Sequence, residues 1–202
     1  MSSGPRTIIR LNETVSTNKD AMRLALGGEP LPLWVSAERQ SEGRGRAGRT
    51  WVSLAGNLHA SIAISVTAPP VLAGQLSLVS GIALYEAVHA AAQPDKIKSL
   101  RLKWPNDLLI GVAKVGGILV ESTTVGDGTS FVAVAGFGLN ITSAPDHLGR
   151  AVTSLREAGV EVEPGTLLQS LADELDLWLE RWNGAKGFSA IRAAWMERAG
   201  PL

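Results

Sequence analysis

The sequence predicts an α+β fold in which helices pack on a mixed, largely antiparallel sheet. Two observations predict this class. Segments with alternating apolar residues follow one another through the middle of the 202-residue chain, and segments with helical periodicity lie before and after them. The composition, with 45% hydrophobic and 19% charged residues, is typical of a globular domain that buries a substantial core.

The first half of the chain predicts three strands and two helices. Thr17 and Asp20 have the spacing of a helix N-terminal cap, so a helix is expected to begin there. The segment 58–66 gives the clearest strand signal, because its apolar residues occupy every second position from Leu58 to Val66. The predicted elements are strands over 6–11, 33–38 and 58–66 and helices over 18–27 and 73–92.

The second half predicts three further strands and two helices. Residues 99–104 alternate until Pro105 interrupts them, and Asn106-Asp107 has the composition of a turn. A glycine-rich turn at 126–128 joins two later strands into a hairpin. The predicted elements are strands over 99–104, 115–121 and 131–137 and helices over 166–182 and 187–199, which makes six or seven strands and four or five helices in all.

Charge and cysteine content argue against several classes of function. Lysine and arginine number 19, as do aspartate and glutamate, so the chain lacks the basic excess of a typical nucleic-acid-binding protein. It has no cysteine, which excludes disulfides, thiolate zinc sites and a cysteine nucleophile. Residues 1–13 show no signal-peptide pattern, and we expect no apolar stretch of about 20 residues. A cytoplasmic protein that neither binds DNA nor crosses a membrane is therefore expected.

A polar loop over residues 39–49 is rich in arginine and glycine. Its core, Gly43-Arg44-Gly45-Arg46-Ala47-Gly48-Arg49, formally matches a dinucleotide-binding motif, but residues 50–53 are not a helix start and that interpretation is disfavoured. Backbone N–H groups freed by glycine, together with arginines, predict phosphate or carboxylate binding, although a solvated basic loop fits this segment equally well. The loop is expected to be mobile before a ligand binds.

Three further segments combine charge with glycine or a turn. Residues 103–107 place a cation and a carboxylate at a strand end, residues 114–121 place a lysine before two glycines, and residues 136–141 place an amide after a glycine pair. Each segment alone is also compatible with an ordinary turn. The three histidines, His59, His89 and His147, have no metal-ligand spacing. Cations and one carboxylate without a nucleophile favour adenylyl or phosphoryl transfer.

Taken together, these segments resemble the biotin–protein ligases, that is, the biotin–[acetyl-CoA-carboxylase] ligases. The matching motifs occur in the family's order: Ser16-Thr17-Asn18, Gln40 to Trp51, Lys103-Trp104-Pro105-Asn106-Asp107, Lys114 to Glu121, and Gly136-Phe137-Gly138-Leu139-Asn140. The resemblance implies a fold like that of class II aminoacyl-tRNA synthetases and biotin–lipoate ligases. It also implies an enzyme that converts biotin and ATP to biotinoyl-5′-AMP and transfers the biotinoyl group to a lysine of a biotin carboxyl carrier domain.

The same resemblance assigns roles to individual residues. The catalytic residues would be Arg46, Lys114 and Asp107, with Asp107 beside the incoming acceptor lysine. Biotin contacts are assigned to Ser16, Thr17, Asn18, Gln40, Gly43, Arg44, Gly45, Arg46, Lys114, Gly116 and Gly117. ATP contacts are assigned to Arg44, Arg46, Arg49, Trp51, Lys103, Asn106, Lys114 and Asn140. No residue is assigned to a metal, and Mg²⁺ is expected to arrive with ATP.

The resemblance also carries expectations about domains and partners. Residues 1–202 would form the catalytic domain, without the N-terminal winged-helix domain or the C-terminal SH3-like domain that many relatives carry. The expected partners are biotin, ATP and a carboxylase carrier domain, and a homodimer is compatible with the family. Three alternatives stay open: a lipoate-type ligase of the same fold, a biotin- or biotinoyl-AMP-binding module with little turnover, and a nucleic-acid-binding module.

Overall fold

A computed structural model describes residues 6–92, 97–146 and 149–200. Within these ranges one sheet holds seven strands in the order β1-β2-β3-β7-β6-β5-β4. The strands are β1 (Thr7–Thr14), β2 (Leu33–Gln40), β3 (Leu58–Val66), β4 (Leu100–Lys103), β5 (Asp107–Ile110), β6 (Ala113–Val125) and β7 (Ser130–Leu139). The α-helices are α1 (Thr17–Leu26), α2 (Leu76–Ala91), α3 (Pro164–Trp182) and α4 (Phe188–Arg198), and short 3-10 segments cover Arg46–Gly48 and Pro70–Gln75.

Strand directions confirm the predicted mixed, largely antiparallel sheet. Only β1 and β2 pair in parallel, because α1 forms the crossover between them. Every other neighbouring pair in the sheet is antiparallel. The predicted hairpin is β6–β7, in which Val125 pairs with Ser130 across the turn.

Helices cover both faces of the sheet, so that β3 is buried on both sides. Ile62 belongs to the main core formed with α2 and α3, whereas Ala63 belongs to a smaller core beneath α1. Both residues are at most 1% exposed. The alternation along 58–66 is real, but it separates two buried faces rather than a buried face from a solvated one.

The expectation that no apolar stretch of about 20 residues exists is wrong. The helical segment Pro70–Ala91 is long and apolar enough, by length and composition alone, to cross a membrane. In the fold it is a core helix, since 61% of that apolar window is buried and Val79, Ile82 and Ala83 have no exposed surface. A helix that is apolar on most sides fits a position between a sheet and two other helices.

Two local predictions also differ from the structure. Asp20 does not act with Thr17 as a cap: it accepts a hydrogen bond from the Thr14 hydroxyl, and Ser16 occupies the N-cap position of α1. Asp107 does not lie in a turn but begins β5, a strand of only four residues that the sequence analysis missed. A strand this short gives too few alternating positions for a period-2 pattern.

Candidate active site

A cavity of about 390 Å³ opens beside the strand ends that carry the predicted motifs. Six regions line it: the start of α1, the end of β2 with the loop that follows, the β4–β5 turn with the strand ends beside it, β6, β7, and the loop after β7 that carries Arg150. Most residues assigned from the sequence lie there, namely Ser16, Thr17, Asn18, Gln40, Arg44, Gly45, Arg46, Arg49, Trp51, Lys103, Asn106, Asp107, Lys114 and Gly117. The fold therefore brings together motifs that are far apart in the chain.

The arginine-rich loop forms a narrow hairpin, here called the arginine hairpin (residues 43–51). The Gly45 N–H donates to the Arg49 carbonyl at 2.7 Å, and the Trp51 N–H donates to the Gly43 carbonyl at 2.8 Å. Its tip turns through left-handed backbone at Ala47 and Gly48, with φ of 55° and 71°. Only three residues of 3-10 helix follow the glycines, so the dinucleotide-binding geometry, which needs an α-helix at this point, is not formed.

The cavity wall is strongly cationic although the chain as a whole has a formal charge of zero. Its basic residues are Arg44, Arg46, Arg49, Lys103, Lys114 and Arg150, and its acidic residue is Asp107. Among the described residues, Arg46, Arg49, Lys103 and Arg150 have no carboxylate partner. An excess of unpaired cations around one cavity favours a ligand with several negative charges.

Lys114 and Asp107 form an ion pair inside this cationic wall. Burial lowers the pKa of the Lys114 ammonium group, the pairing with Asp107 opposes this, and the positive charges of Arg150 and Arg49 lower the pKa further. Asp107 was predicted to lie near Lys103, and these two residues are paired in register across β4 and β5. The carboxylate of Asp107 nevertheless contacts Lys114, because both side chains project into the cavity.

A β-bulge in β6 explains how Lys114 and Gly117 come to share one face. The register between β5 and β6 shifts between Leu108 and Leu109, so that Val115 is left without a partner on β5. A side chain on Gly117 would begin 2.8 Å from the Lys114 Nζ. Glycine at this position therefore leaves room for the lysine.

Buried polar side chains form the floor of the cavity at the start of α1. The Gln40 side-chain oxygen accepts hydrogen bonds from the Thr17 N–H at 2.9 Å and the Thr17 hydroxyl at 3.1 Å. Ser61 contacts Thr17 at 2.8 Å and the Asn18 side-chain oxygen at 2.6 Å. Thr17, Asn18 and Ser61 are almost fully buried. These polar groups are pre-oriented and suited to bind a small polar ring.

Two glycines of β7 permit close packing around the cavity. A side-chain carbon on Gly136 would lie 2.0 Å from the Asn18 side-chain oxygen, and one on Gly138 would lie 2.4 Å from the Trp51 indole ring. This glycine pair was predicted to end a strand, and no contact was assigned to it. Its role becomes visible only when β7 is placed next to α1 and the arginine hairpin.

His59 fixes the orientation of the Trp51 ring through a hydrogen bond. The Trp51 Nε1–H donates to His59 Nδ1 at 3.3 Å, so His59 Nδ1 carries no proton and His59 Nε2 donates to the Leu54 carbonyl at 3.2 Å. His59 is 1% exposed. Burial lowers the pKa of the His59 imidazole, although its hydrogen bond to Leu54 acts in the opposite direction.

Stability is therefore expected to fall as the pH drops below about 6.5, the ordinary pKa of histidine in an unfolded chain. In that range the unfolded chain binds a proton at His59 that the folded protein does not. The stabilisation that comes from keeping His59 neutral is fully present above the pKa of histidine in the unfolded chain. It is lost as the pH falls through the pKa of His59 in the folded protein. Thermal unfolding between about pH 7.5 and 5.5 measures it. A His59→Gln variant should show a flatter profile, whereas His89→Gln, at an exposed helix position, should not.

Three assigned residues do not line the main cavity. Gly43 packs against the Trp51 carbonyl, and a side chain on Gly116 would meet Leu139 at 2.7 Å on the opposite face of β6. Gly116 therefore presents its side-chain position to the face of β6 away from the cavity, and the backbone contact with biotin assigned to it stays a prediction. Asn140 lies in a small adjoining crevice with Arg150 and Val152, and its buried side-chain oxygen has no hydrogen-bond partner among the described residues. Of the three histidines, His147 lies outside the described residues.

The structure adds residues that the sequence analysis did not assign. Arg150 lies in a loop that pairs with β6 through backbone hydrogen bonds. The Lys114 N–H donates to the Ala151 carbonyl at 3.0 Å, and the Thr153 N–H donates to the Lys114 carbonyl at 2.9 Å. Nothing in the sequence around Arg150 indicated this placement. The other unassigned lining residues are Ala47, Thr50, Trp104, Pro105, Ile118, Leu119, Gly136, Phe137 and Gly138.

Known proteins resemble this chain over most of its length. A profile of the Biotin/lipoate A/B protein ligase family matches residues 9–140. The biotin–[acetyl-CoA-carboxylase] ligase of Paracoccus denitrificans is 39% identical over 198 residues, which cover 95% of this chain and 80% of that protein. The biotin protein ligase of Leishmania major in complex with biotinyl-5-AMP has a TM-score of 0.76 at 29% identity, covering 98% of this chain and 83% of that one. The biotin protein ligase of Aquifex aeolicus in complex with biotin and ATP has a TM-score of 0.75 at 26% identity, covering 96% and 78%.

These matches span the start of α1, the arginine hairpin, the β4–β5 turn and the strands β6 and β7, which together form the cavity. The resemblance found in the sequence motifs is thereby confirmed, and the chain belongs to the biotin/lipoate A/B protein ligase family.

Proposed function

We propose that this enzyme activates biotin with ATP as biotinoyl-5′-AMP and transfers the biotinoyl group to a lysine of a biotin carboxyl carrier domain. The observation that carries the proposal is the cavity itself. It joins a buried polar floor at Thr17, Asn18 and Gln40 to a wall of six basic side chains with one carboxylate. A neutral polar ring fits the floor, and a carboxylate and a triphosphate fit the wall.

The first step joins two anions, and the cationic wall makes this feasible. A carboxylate oxygen of biotin attacks the α-phosphorus of ATP, the bond to the bridging oxygen breaks, and pyrophosphate leaves. Lys114 and Arg46 lower the repulsion between the carboxylate and the phosphate and stabilise the charge that develops on the α-phosphate. Arg49, Lys103 and Arg150 lie where they can hold the departing pyrophosphate.

The second step transfers the acyl group to an amine. The acceptor lysine attacks the carbonyl carbon of biotinoyl-5′-AMP, the bond between this carbon and the phosphate oxygen breaks, and AMP leaves. The ammonium group of this lysine must first lose a proton to become a nucleophilic amine, and Asp107 is the carboxylate in the cavity wall that can accept the proton. Its ion pair with Lys114 holds the Asp107 carboxylate at the β4–β5 turn.

The adenine contacts, Mg²⁺, the cellular compartment and the oligomeric state complete the proposal. Trp51 and Asn140 face the adenine end, next to the crevice that Asn140 lines. Mg²⁺ enters the site bound to the phosphates of ATP. Residues 1–202 act as the catalytic domain in the cytoplasm, where ATP is supplied. That the protein forms a homodimer stays a prediction, which sedimentation measurements can test.

Pyrophosphate exchange tests the proposal directly. Labelled pyrophosphate should enter ATP when biotin is present and not when octanoate or lipoate replaces it. Transfer is then measured on a carrier domain, with the same carrier bearing Lys→Arg at its acceptor site as the control. Exchange with lipoate would instead indicate a lipoate-type ligase. Biotin binding in a calorimeter without exchange would indicate a binding module with little turnover.

Arg150 provides a prediction that depends on the structure and not on a motif. Arg150→Ala is expected to raise the KM for ATP by about 10-fold, which corresponds to one charge-assisted phosphate contact of about 1.4 kcal/mol. Biotin affinity should be unchanged, because the floor residues are untouched. Arg156→Ala, at an exposed position after the same loop, is the matched control. An unchanged KM for ATP would remove Arg150 from the phosphate site.

A further inference from the structure

Glu121 on β6 connects the arginine hairpin to the floor of the cavity. One of its carboxylate oxygens accepts a hydrogen bond from the Asn18 side-chain amide at 2.7 Å. The Arg44 guanidinium contacts both oxygens, at 3.0 and 3.2 Å. Glu121 itself does not line the cavity. A single carboxylate therefore connects the hairpin and the start of α1 at a point outside the ligand space.

Both partners of Glu121 are held in fixed positions by other contacts. Asn18 also donates to the Leu119 carbonyl at 3.2 Å, and its side-chain oxygen accepts a hydrogen bond from the Ser61 hydroxyl at 2.6 Å. Arg44 pairs with Thr50 through the backbone at the base of the hairpin. Fixing the Arg44 side chain to Glu121 therefore restrains the hairpin relative to Asn18.

We infer that Glu121 is a positioning residue that holds the arginine hairpin over the cavity through Arg44 and orients Asn18. The Arg44–Glu121 pair is partly exposed, and such a pair alone has a small effect on global stability. Its local effect is larger, because the tip of the hairpin has few other anchors: Arg46, Ala47, Gly48 and Arg49 are all exposed. Arg44, which was assigned to ligand contact, acts in the empty enzyme through this ion pair.

Limited trypsin digestion of the empty protein tests the inference without any ligand. Trypsin cleaves after Arg44, Arg46 and Arg49, and mass spectrometry identifies cleavage within the hairpin. Glu121→Ala should increase the rate of these cleavages several-fold, because the hairpin opens more often. Glu121→Gln keeps an acceptor for Asn18 and should lie between Glu121→Ala and wild type. Glu38→Ala, which removes an exposed carboxylate on β2, is the matched control.

Kinetics supply a second readout, which rests on the proposed function. Glu121→Ala is expected to raise the KM for biotin by about 10-fold and to change kcat by less than about 3-fold, since Glu121 touches no reacting atom. Arg44→Ala and Glu121→Ala should be non-additive in a double-mutant cycle. Equal cleavage rates for Glu121→Ala and Glu38→Ala, or additive effects in the cycle, would overturn the inference. The digestion is done without a ligand, so its result does not depend on whether the substrate is biotin or another carboxylic acid. The role inferred for Glu121 and the proposed function can therefore fail separately.

Discussion

Lys114→Ala is expected to reduce biotin-dependent pyrophosphate exchange by about 10²–10³-fold, the loss typical of removing one preorganised charge from a reacting centre. The Lys114 side chain is only 11% exposed and lies in the cavity wall, where its ammonium group pairs with Asp107. The Lys114 Nζ lies over the Trp51 ring, 5.7 Å from its centre. The substitution therefore also removes a contact that helps to seat the indole ring.

The measurement compares three proteins at equal protein concentration and saturating biotin. Wild type and Lys186→Ala, which removes an exposed lysine after α3, should exchange pyrophosphate at the same rate, whereas Lys114→Ala should not. Calorimetric unfolding shows whether Lys114→Ala folds, since the substitution leaves Asp107 without its partner. A folded Lys114→Ala protein with wild-type exchange would contradict the role assigned to Lys114.

Gly136→Ala is expected to weaken biotin binding by at least about 10-fold and to destabilise the protein by about 1–3 kcal/mol. The new methyl group would lie 2.0 Å from the Asn18 side-chain oxygen, far inside contact distance. Asn18 is 3% exposed and contacts Ser61 and Glu121, so it cannot move without breaking buried hydrogen bonds. The change thus acts on the cavity floor without removing any polar group.

Gly165→Ala is the matched control for this substitution. Gly165 lies in the first turn of α3, and nothing lies within 4 Å of the position that its side-chain carbon would take. Alanine there should be neutral or slightly stabilising, because alanine favours helix. Isothermal calorimetry with biotin and urea unfolding of both variants separate the binding effect from the stability effect. Wild-type biotin affinity in Gly136→Ala would show that Asn18 does not form the binding floor.

Elements with long, regular patterns could be predicted from the sequence, and elements set by tertiary contacts could not. The segment 58–66 alternates over its whole length and became β3 with the same bounds. The four residues of β5 carry no such pattern, and the strand forms because it pairs with β4 on one side and β6 on the other. The cap predicted at Thr17 failed because Gln40, which is distant in sequence, binds the Thr17 hydroxyl.

The same distinction holds within the site. Arg46, Lys114 and Asp107 stand in segments whose composition is unusual enough to be noticed, and the fold places all three in one cavity. The contacts between segments were not predictable from local sequence: Lys114 with Asp107, Arg44 with Glu121, and Trp51 with His59. Gly116 and Gly117 were both assigned to biotin from the family resemblance, but adjacent residues of a strand face opposite sides, and only Gly117 lines the cavity.

The pairing of β3 with β7, in which Leu58 lies opposite Leu139 and Val66 opposite Phe131, has a consequence for how the protein is made. The polar floor and the arginine hairpin come from the chain before β3, whereas Lys114 and the two glycines come from β6 and β7. A growing chain therefore cannot form the cavity until β7 has been synthesised and has closed this long-range contact, which is a slow kind of step in folding. A ligand that binds only the closed cavity would then stabilise fully folded molecules relative to partly folded ones. At a ligand concentration 100-fold above its Kd, the free energy of unfolding would rise by about 2.7 kcal/mol.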